Sequence, residues 1–478
     1  MSNNQIKTPL LDKVMEHTKK SPVSLHVPGH KNGQVLDPKG YHFFKEVTKL
    51  DLTEISGLDD LHAPDGVIKQ AQGLAAEWFQ TEETFFLVNG STVGNLAMIL
   101  ATCEAGDLAL VQRNCHKSIL NGLELAGARP IFLEPNYSEQ TNRYENPSVE
   151  TIETICRNYP DAKTIILTYP DYFGKTYELE KIIRIAHQYN MVVLIDEAHG
   201  CHFSVPFFQI KSSVRLGADV VVQSAHKMTP ALTMGAYLHI PEDSKVNKQK
   251  IIHYLSILQS SSPSYLIMIS LDIARHYLAN YTWEKYLVMR DYMGDVRNTL
   301  HSNEWWKLER VEDPLKLVIK ALPRVSADDI FHHFETENIY AELKTNHDIL
   351  FIFGMEPTIP LAELQTAVEN VKVKLQNSSK WTEKHDKIND NIKNNIYKTG
   401  ALSFSYHEMK KKKVKWVKLD ESVGCVASEA VIPYPPGIPL IAKGEKITRE
   451  HVEWIKQLRT NDISFHPSKE MSGLFVFD

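Results

Sequence analysis

Residues 217–227 read GADVVVQSAHK. The β-branched run DVVVQ (219–223) reads as a short buried strand, and it delivers Ser224, His226 and Lys227 into the loop that follows. Four other runs share this texture: TFFLV (84–88), LALV (108–111), TIILT (164–168) and MVVLI (191–195). Between them the spacing predicts helices near 92–104, 116–126, 149–159 and 178–189. Strands alternating with helices imply an α/β fold whose mainly parallel sheet is covered on both faces. Ligands of such sheets bind at the carboxyl ends of the strands, where Lys227 falls.

Outward from this centre the pattern changes. Residues 1–80 read as an N-terminal helix, polar loops and a second helix, with HVPGHKNG (26–33) and GLDDLHAPDG (57–66) as cleft-lining loops. A long helical stretch is expected from Pro263 to about Leu300, with the proline at an early helical position. Residues 305–376 read as a small α+β unit: VIKALP and ILFIFGM are strand-like, ADDIFHHFETENI and LAELQTAVENVKVKLQ helical. Residues 377–399 are polar and lysine-rich and read as a linker or a loosely held helix, ahead of a compact tail containing VIPYPPGIPL (431–440). The expected partition is therefore 1–80, a large domain over 81–303, a small domain over 304–378, and a linker with C-terminal domain over 379–478.

Composition narrows the function classes. The 478 residues are 43% hydrophobic and 23% charged, ordinary for a globular chain, and the net charge of −6 argues against a nucleic-acid partner. No run approaches the roughly 20 apolar residues of a membrane span. The start, MSNNQIKTPLLDKV, lacks a secretion signal. Five scattered cysteines fit neither a disulfide framework nor a metal-ligand spacing, and so point to a reducing cytoplasm.

The chemistry gathers at strand ends. A lysine at position 227 can be desolvated, which lowers its pKa and frees the amine to form an imine, although a lone loop lysine is ordinarily solvated. MVVLIDEAHG (191–200) ends a strand on Asp196, a carboxylate that can pair with a protonated pyridine nitrogen or simply cap a helix. LVNGSTVGNLA (87–97) is strand, tight turn and helix, and places Ser91 and Thr92 where helix amides favour a phosphate. RNCHKSI (113–119) sets His116 at a helix start, able to stack on a planar ring or to cap. Each signal alone is weak. Together, in the order phosphate loop, histidine, aspartate and lysine, they define a cofactor site.

These residues resemble the Orn/Lys/Arg decarboxylase family. The matching stretches are HVPGHKNG, NGSTVGN, RNCHKSI, TYPDYFGKTYEL, IDEAHGCHF, GADVVVQSAHKMTPALTMGAYLH, SSSPSYLIMISLD and PYPPGIPL, from residue 26 to about 440. The resemblance implies the fold-type I architecture of pyridoxal-phosphate (PLP) transferases, with Lys227 as the Schiff-base lysine, Asp196 on the pyridine nitrogen and His116 stacked on the ring. It implies Ser91, Thr92 and Ser224 as phosphate ligands, His226 beside the lysine, and Ala198 and His199 against the ring. It further implies a homodimer with sites at the subunit interface, where Ser261 or Ser262 reaches the partner's phosphate. The chain begins at the short linker before HVPGHK, without the receiver-like domain of acid-stress members, so large rings built on that domain are not expected.

The expected reaction is decarboxylation of a basic amino acid, arginine leading lysine and ornithine, to the corresponding amine. The segment 403–416 (SFSYHEMKKKKVKW) is more basic than the family pattern, in a region that contributes to the substrate entrance in relatives. Asp59, Asp60 and the C-terminal glutamates, with Glu408 and Glu429 at family positions, are candidates for the substrate's cationic end. An aminotransferase would clamp the α-carboxylate with an arginine, and Arg310, Arg324, Arg449 and Arg459 sit in no such motif. A cofactor-binding regulator would need a DNA-binding appendage or a lost lysine, and neither is present.

Overall fold

The computed structural model describes residues 3–377, 397–434, 437–460, 464–466 and 471–478. Most of the expected linker over 377–399 lies outside the described residues. The chain forms two compact units, each discontinuous in sequence: Met1–Thr102 with Val192–Thr282, and Cys103–Met191 with Trp283–Asp478. All three crossings fall inside the stretch 81–303 read as one large domain.

In the first unit four strands lie in the order Glu83–Leu87, Ala236–Ile240, Val220–Gln223, Val192–Asp196. The last two run parallel, with Asp196 opposite Val222. Ala236–Ile240 runs antiparallel to both of its neighbours. Val192–Asp196 and Val220–Gln223 are buried along their whole length, as a strand covered on both faces must be. The helix Gly90–Thr102 packs against these strands at Gly94. A Cβ at 94 would stand 2.7 Å from Leu87 Cδ1 and 2.8 Å from Val222 Cγ1, so only glycine permits this approach.

In the second unit Thr164–Thr168, Leu108–Gln112 and Arg129–Leu133 run parallel, and the short Gly400–Ala401 pairs antiparallel with the last. The α+β reading of 305–376 holds. Trp306–Glu309, Lys316–Ala321, Asp348–Ile352 and Leu343–Lys344 form an antiparallel sheet, and the helices Ala327–Thr336 and Leu361–Asn377 accompany it. In the tail, Val414–Lys418, Gly473–Phe477 and Val426–Ala427 form a three-stranded sheet. Leu419, Ile441, Ile455 and Val476 are part of its core. Parallel strands joined through helices, flanked by antiparallel ones, make the fold the expected α/β type with smaller sheets beside it.

Two expectations need correction. The stretch from Pro263 to Leu300 is two helices, Tyr265–Ala279 and Trp283–Thr299. The Asn280 side chain donates to the His276 carbonyl at 2.8 Å and helps close the first helix. Pro263 lies outside the helix, because Ser264 takes the N-cap and accepts from Ile267 N. No helix among the described residues is long and apolar enough to cross a membrane.

Candidate active site

The site grows from two adjacent strand ends of the first unit. Val192–Asp196 closes on Asp196, which is only 3% exposed. One carboxylate oxygen accepts the Ala198 backbone N–H at 3.2 Å, and the other accepts the Asn95 side-chain amide at 2.9 Å. Ala198 thus acts through its backbone. The neighbouring strand ends at Ser224, whose hydroxyl donates to the Ser91 hydroxyl at 2.7 Å. Ser91 and Thr92 occupy the first turn of Gly90–Thr102, so two serines and the N-terminal end of a thirteen-residue helix share one corner.

Lys227 sits in the short helix Ala225–Met228, with Ser224 at the N-cap position and its hydroxyl turned to Ser91 rather than to the helix amides. Its Nζ lies 3.2 Å from His199 Nε2. His199, 5% exposed, comes from the turn after Asp196, so that turn anchors the carboxylate through Ala198 and meets the lysine one residue later. His226 turns elsewhere: its Nδ1 meets the Gly235 carbonyl at 3.0 Å. Burial holds the His226 pKa below the usual histidine value, and the nearby Lys227 charge adds to this, while the Gly235 contact opposes it.

Glu197 is the group the sequence left without a role. It is fully buried, accepts Ser213 N–H at 2.6 Å and the Ser213 hydroxyl on one oxygen, and accepts Gln223 Nε2 at 2.8 Å on the other. Gln223 Oε1 must then accept, so His239 donates to it from Nε2 at 3.0 Å, and His239 Nδ1 accepts from the Thr84 hydroxyl at 2.8 Å. Burial pushes the Glu197 carboxyl up to about 7 and the His239 imidazole down to about 3.

Two proposed substrate carboxylates are spent on structure. Asp59 is buried and accepts backbone N–H groups from Asp60, Asp65, Gly66, Ile68 and Lys69, at 2.8–3.2 Å. Burial would raise its pKa, and these donors outweigh burial and bring it below the ordinary value. It secures the start of the helix Val67–Phe79. Glu408 completes a capping box with Ser405. Glu429 is half-buried, and burial raises its pKa.

Ser261 is exposed in the turn before Tyr265–Ala279, and its neighbour Ser260 donates its N–H to Asn89 Oδ1 at 3.3 Å. His116 belongs to the second unit, where it caps Lys117–Ala126 by accepting Ser118 N–H. The structure therefore brings together Ser91, Asp196, Ala198, His199, Ser224 and Lys227 and adds Asn95, which the sequence left unassigned within NGSTVGN.

An amine beside an imidazole, a buried carboxylate with both oxygens anchored, and serine hydroxyls at a helix N-terminus fit the amine, ring-nitrogen and phosphate handles of pyridoxal phosphate. Fold and site together define a PLP-dependent enzyme.

The Orn/Lys/Arg decarboxylase major-domain model matches residues 8–336, and the C-terminal-domain model of the same family matches residues 394–467. The chain belongs to the Orn/Lys/Arg decarboxylase family and is a PLP-dependent amino acid decarboxylase acting on a basic amino acid. It is 38% identical to the uncharacterized protein YaaO of Bacillus subtilis, over 94% of each chain. It is 32% identical to the arginine decarboxylase of the same bacterium, covering 95% of this chain and 94% of that one. Among solved structures, the lysine decarboxylase of Francisella novicida matches with a TM-score of 0.83 at 20% identity, over 99% of this chain and 82% of that one. At that identity the likeness concerns the fold.

Proposed function

We propose that the enzyme decarboxylates arginine, through a site assembled around Lys227. Support for arginine comes from relatives named arginine decarboxylase at 30–32% identity over 92–95% of this chain, whereas those named lysine decarboxylase stand at 22–24%. The observation that carries the site is the 3.2 Å contact between Lys227 Nζ and His199 Nε2. Lys227 is the attachment point of the cofactor. Asp196 faces the ring nitrogen, and Ser91, Thr92 and Ser224 hold the phosphate.

When bound, PLP supplies the electron sink that makes loss of CO2 possible. The protein does the rest. Asp196, fixed on both oxygens, holds a negative charge at the ring nitrogen. Lys227 stands ready to deliver a proton at the α-carbon, with His199 within proton-transfer distance of its amine. His226, turned to a backbone carbonyl, holds the helix of the lysine in place.

We further propose a cytoplasmic homodimer that makes a polyamine precursor, with Ser261 completing the partner's site. The five free cysteines fit a reducing compartment. Residues 23–47 expose Leu25 (91%), Val23 (83%) and Phe43 (80%), apolar surface that a second copy would cover.

The test is to incubate purified enzyme with arginine, lysine and ornithine and identify the amine. Agmatine from arginine is the expected product, and a second amine in larger yield would move the substrate. A keto acid without CO2 from any of them overturns decarboxylation. Borohydride reduction with peptide mapping is expected to label Lys227.

A further inference from the structure

We infer that Asn95 is a positioning residue of the reaction, whose amide, brought to the sheet by the close approach at Gly94, fixes the plane of the Asp196 carboxylate. The inference rests on the reading of Asp196 as partner of the cofactor's ring nitrogen.

A carboxylate at the end of a strand can rotate about its Cβ–Cγ bond, and only donors on both oxygens stop it. Asp196 has one from its own turn, the Ala198 N–H at 3.2 Å, which is long. The other is the Asn95 amide at 2.9 Å, from a different element 101 residues away in sequence. Both partners of this second bond are buried, Asn95 to 1% and Asp196 to 3% exposure, so water does not compete for it. A hydrogen bond donated to a carboxylate is among the stronger kinds. Each oxygen of an ionised carboxylate has two lone pairs, so neither donor exhausts it, and one remains for the ring N–H.

The geometry depends on residue 94. Helix Gly90–Thr102 comes so near the strands that an added Cβ would stand 2.7 Å from Leu87 Cδ1 and 2.8 Å from Val222 Cγ1. Those are ends of branched side chains on two strands, packed with no room to yield. The missing side chain lets the next residue reach Asp196. Residues 91–95, STVGN, thus do two things on one turn and a half of helix. Ser91 meets Ser224 at the phosphate corner, and Asn95 meets Asp196 at the other end of the ring.

The experiment compares wild type, Asn95→Ala, Asn95→Asp, Gly94→Ala and Asp196→Asn. It reads the PLP dissociation constant, the absorbance spectrum of the bound cofactor, and kcat and KM separately. Asn95→Ala is expected to weaken PLP binding and lower kcat, each about 10-fold, the size of one hydrogen bond to a charged group, with KM little changed. Asn95→Asp, which sets a second carboxylate against the first, is expected to do more. Gly94→Ala, which keeps the asparagine and moves it away, is expected to reproduce the spectral change of Asn95→Ala.

A purely structural Asn95 would lower the melting temperature of the cofactor-free protein and leave spectrum and kcat as they were, and that result overturns the inference. Should Asn95→Ala fail to fold, Gly94→Ala and Asn95→Ser carry the same readouts, and wild-type spectra from both overturn it equally. If Asp196→Asn also leaves the spectrum and PLP affinity unchanged, the assignment of Asp196 has failed instead.

Discussion

Glu197 follows Asp196 directly in the chain, yet it points into a buried relay rather than toward the cofactor. Its carboxyl is raised from 4.5 to about 7, against the pull of Ser213 and Gln223. A folded-state pKa above the unfolded one means that the native protein holds this proton more tightly. The associated stability is full below about pH 4.5 and is lost as pH climbs through 7. A shift of that size corresponds to roughly 3 kcal/mol. Urea unfolding of wild type and Glu197→Gln at pH 5.5 and 8 checks this. Wild type is expected to lose more stability than the variant between the two pH values, and parallel losses would contradict it. At this scale the sequence was legible where a residue type names its own chemistry, as with Lys227 and Asp196 after apolar runs. It was silent on Asn95 and Glu197, because an amide in a helix and a second acid in DEAHG gain meaning only from partners distant in the chain.

The helix Val67–Phe79 begins where Asp59 gathers five backbone amides under one buried carboxylate. Asp59→Ala removes the acceptor of all five donors, of which the Ile68 N–H is buried, and is expected to cost about 2 kcal/mol, read as a lower urea midpoint. Asp59→Asn, which keeps one acceptor oxygen, should recover part of it. An unchanged midpoint for the alanine variant would show that water replaces the cap. The acidic loop looked like a substrate partner in sequence because polarity alone does not tell a cap from a ligand. Strands read well wherever they were continuous apolar runs. Arg129–Leu133 hid behind Pro130, tolerated beside a neighbour of only two residues, Gly400–Ala401. Ala236–Ile240 hid behind His239, a polar residue in a fully buried strand that pairs with Gln223 and Thr84.

For the whole molecule, the exposed apolar side chains of residues 23–47 bear on assembly. If the proposed homodimer uses this surface, Leu25→Asp with Phe43→Asp is expected to shift the enzyme toward monomer in sedimentation and to lower activity, because the proposed contribution of Ser261 to a partner's site is lost with it. An unchanged dimer would place the contact elsewhere. The lysine-rich segment 407–418 also looks different in the folded chain. Lys412 lies over the Phe404 ring, Lys415 pairs with Asp478, and Val414–Lys418 forms a strand. Its basic character is thus partly a matter of holding the tail sheet, which charge counting along a sequence cannot separate from a role at the substrate entrance.

The interleaving of the two units has a consequence for synthesis. Ser91 and Asn95 leave the ribosome more than a hundred residues ahead of Asp196 and Lys227, and the first unit is complete only at Thr282. At ordinary translation speeds that is a wait on the order of ten seconds. During it, half a cofactor pocket exists with nothing to close it, while less than a third of the other unit, Cys103–Met191, has emerged. The nascent chain must keep one hydrophobic strand, Glu83–Leu87, without its partner Ala236–Ile240 throughout, so chaperone demand should concentrate there rather than at the end of the gene.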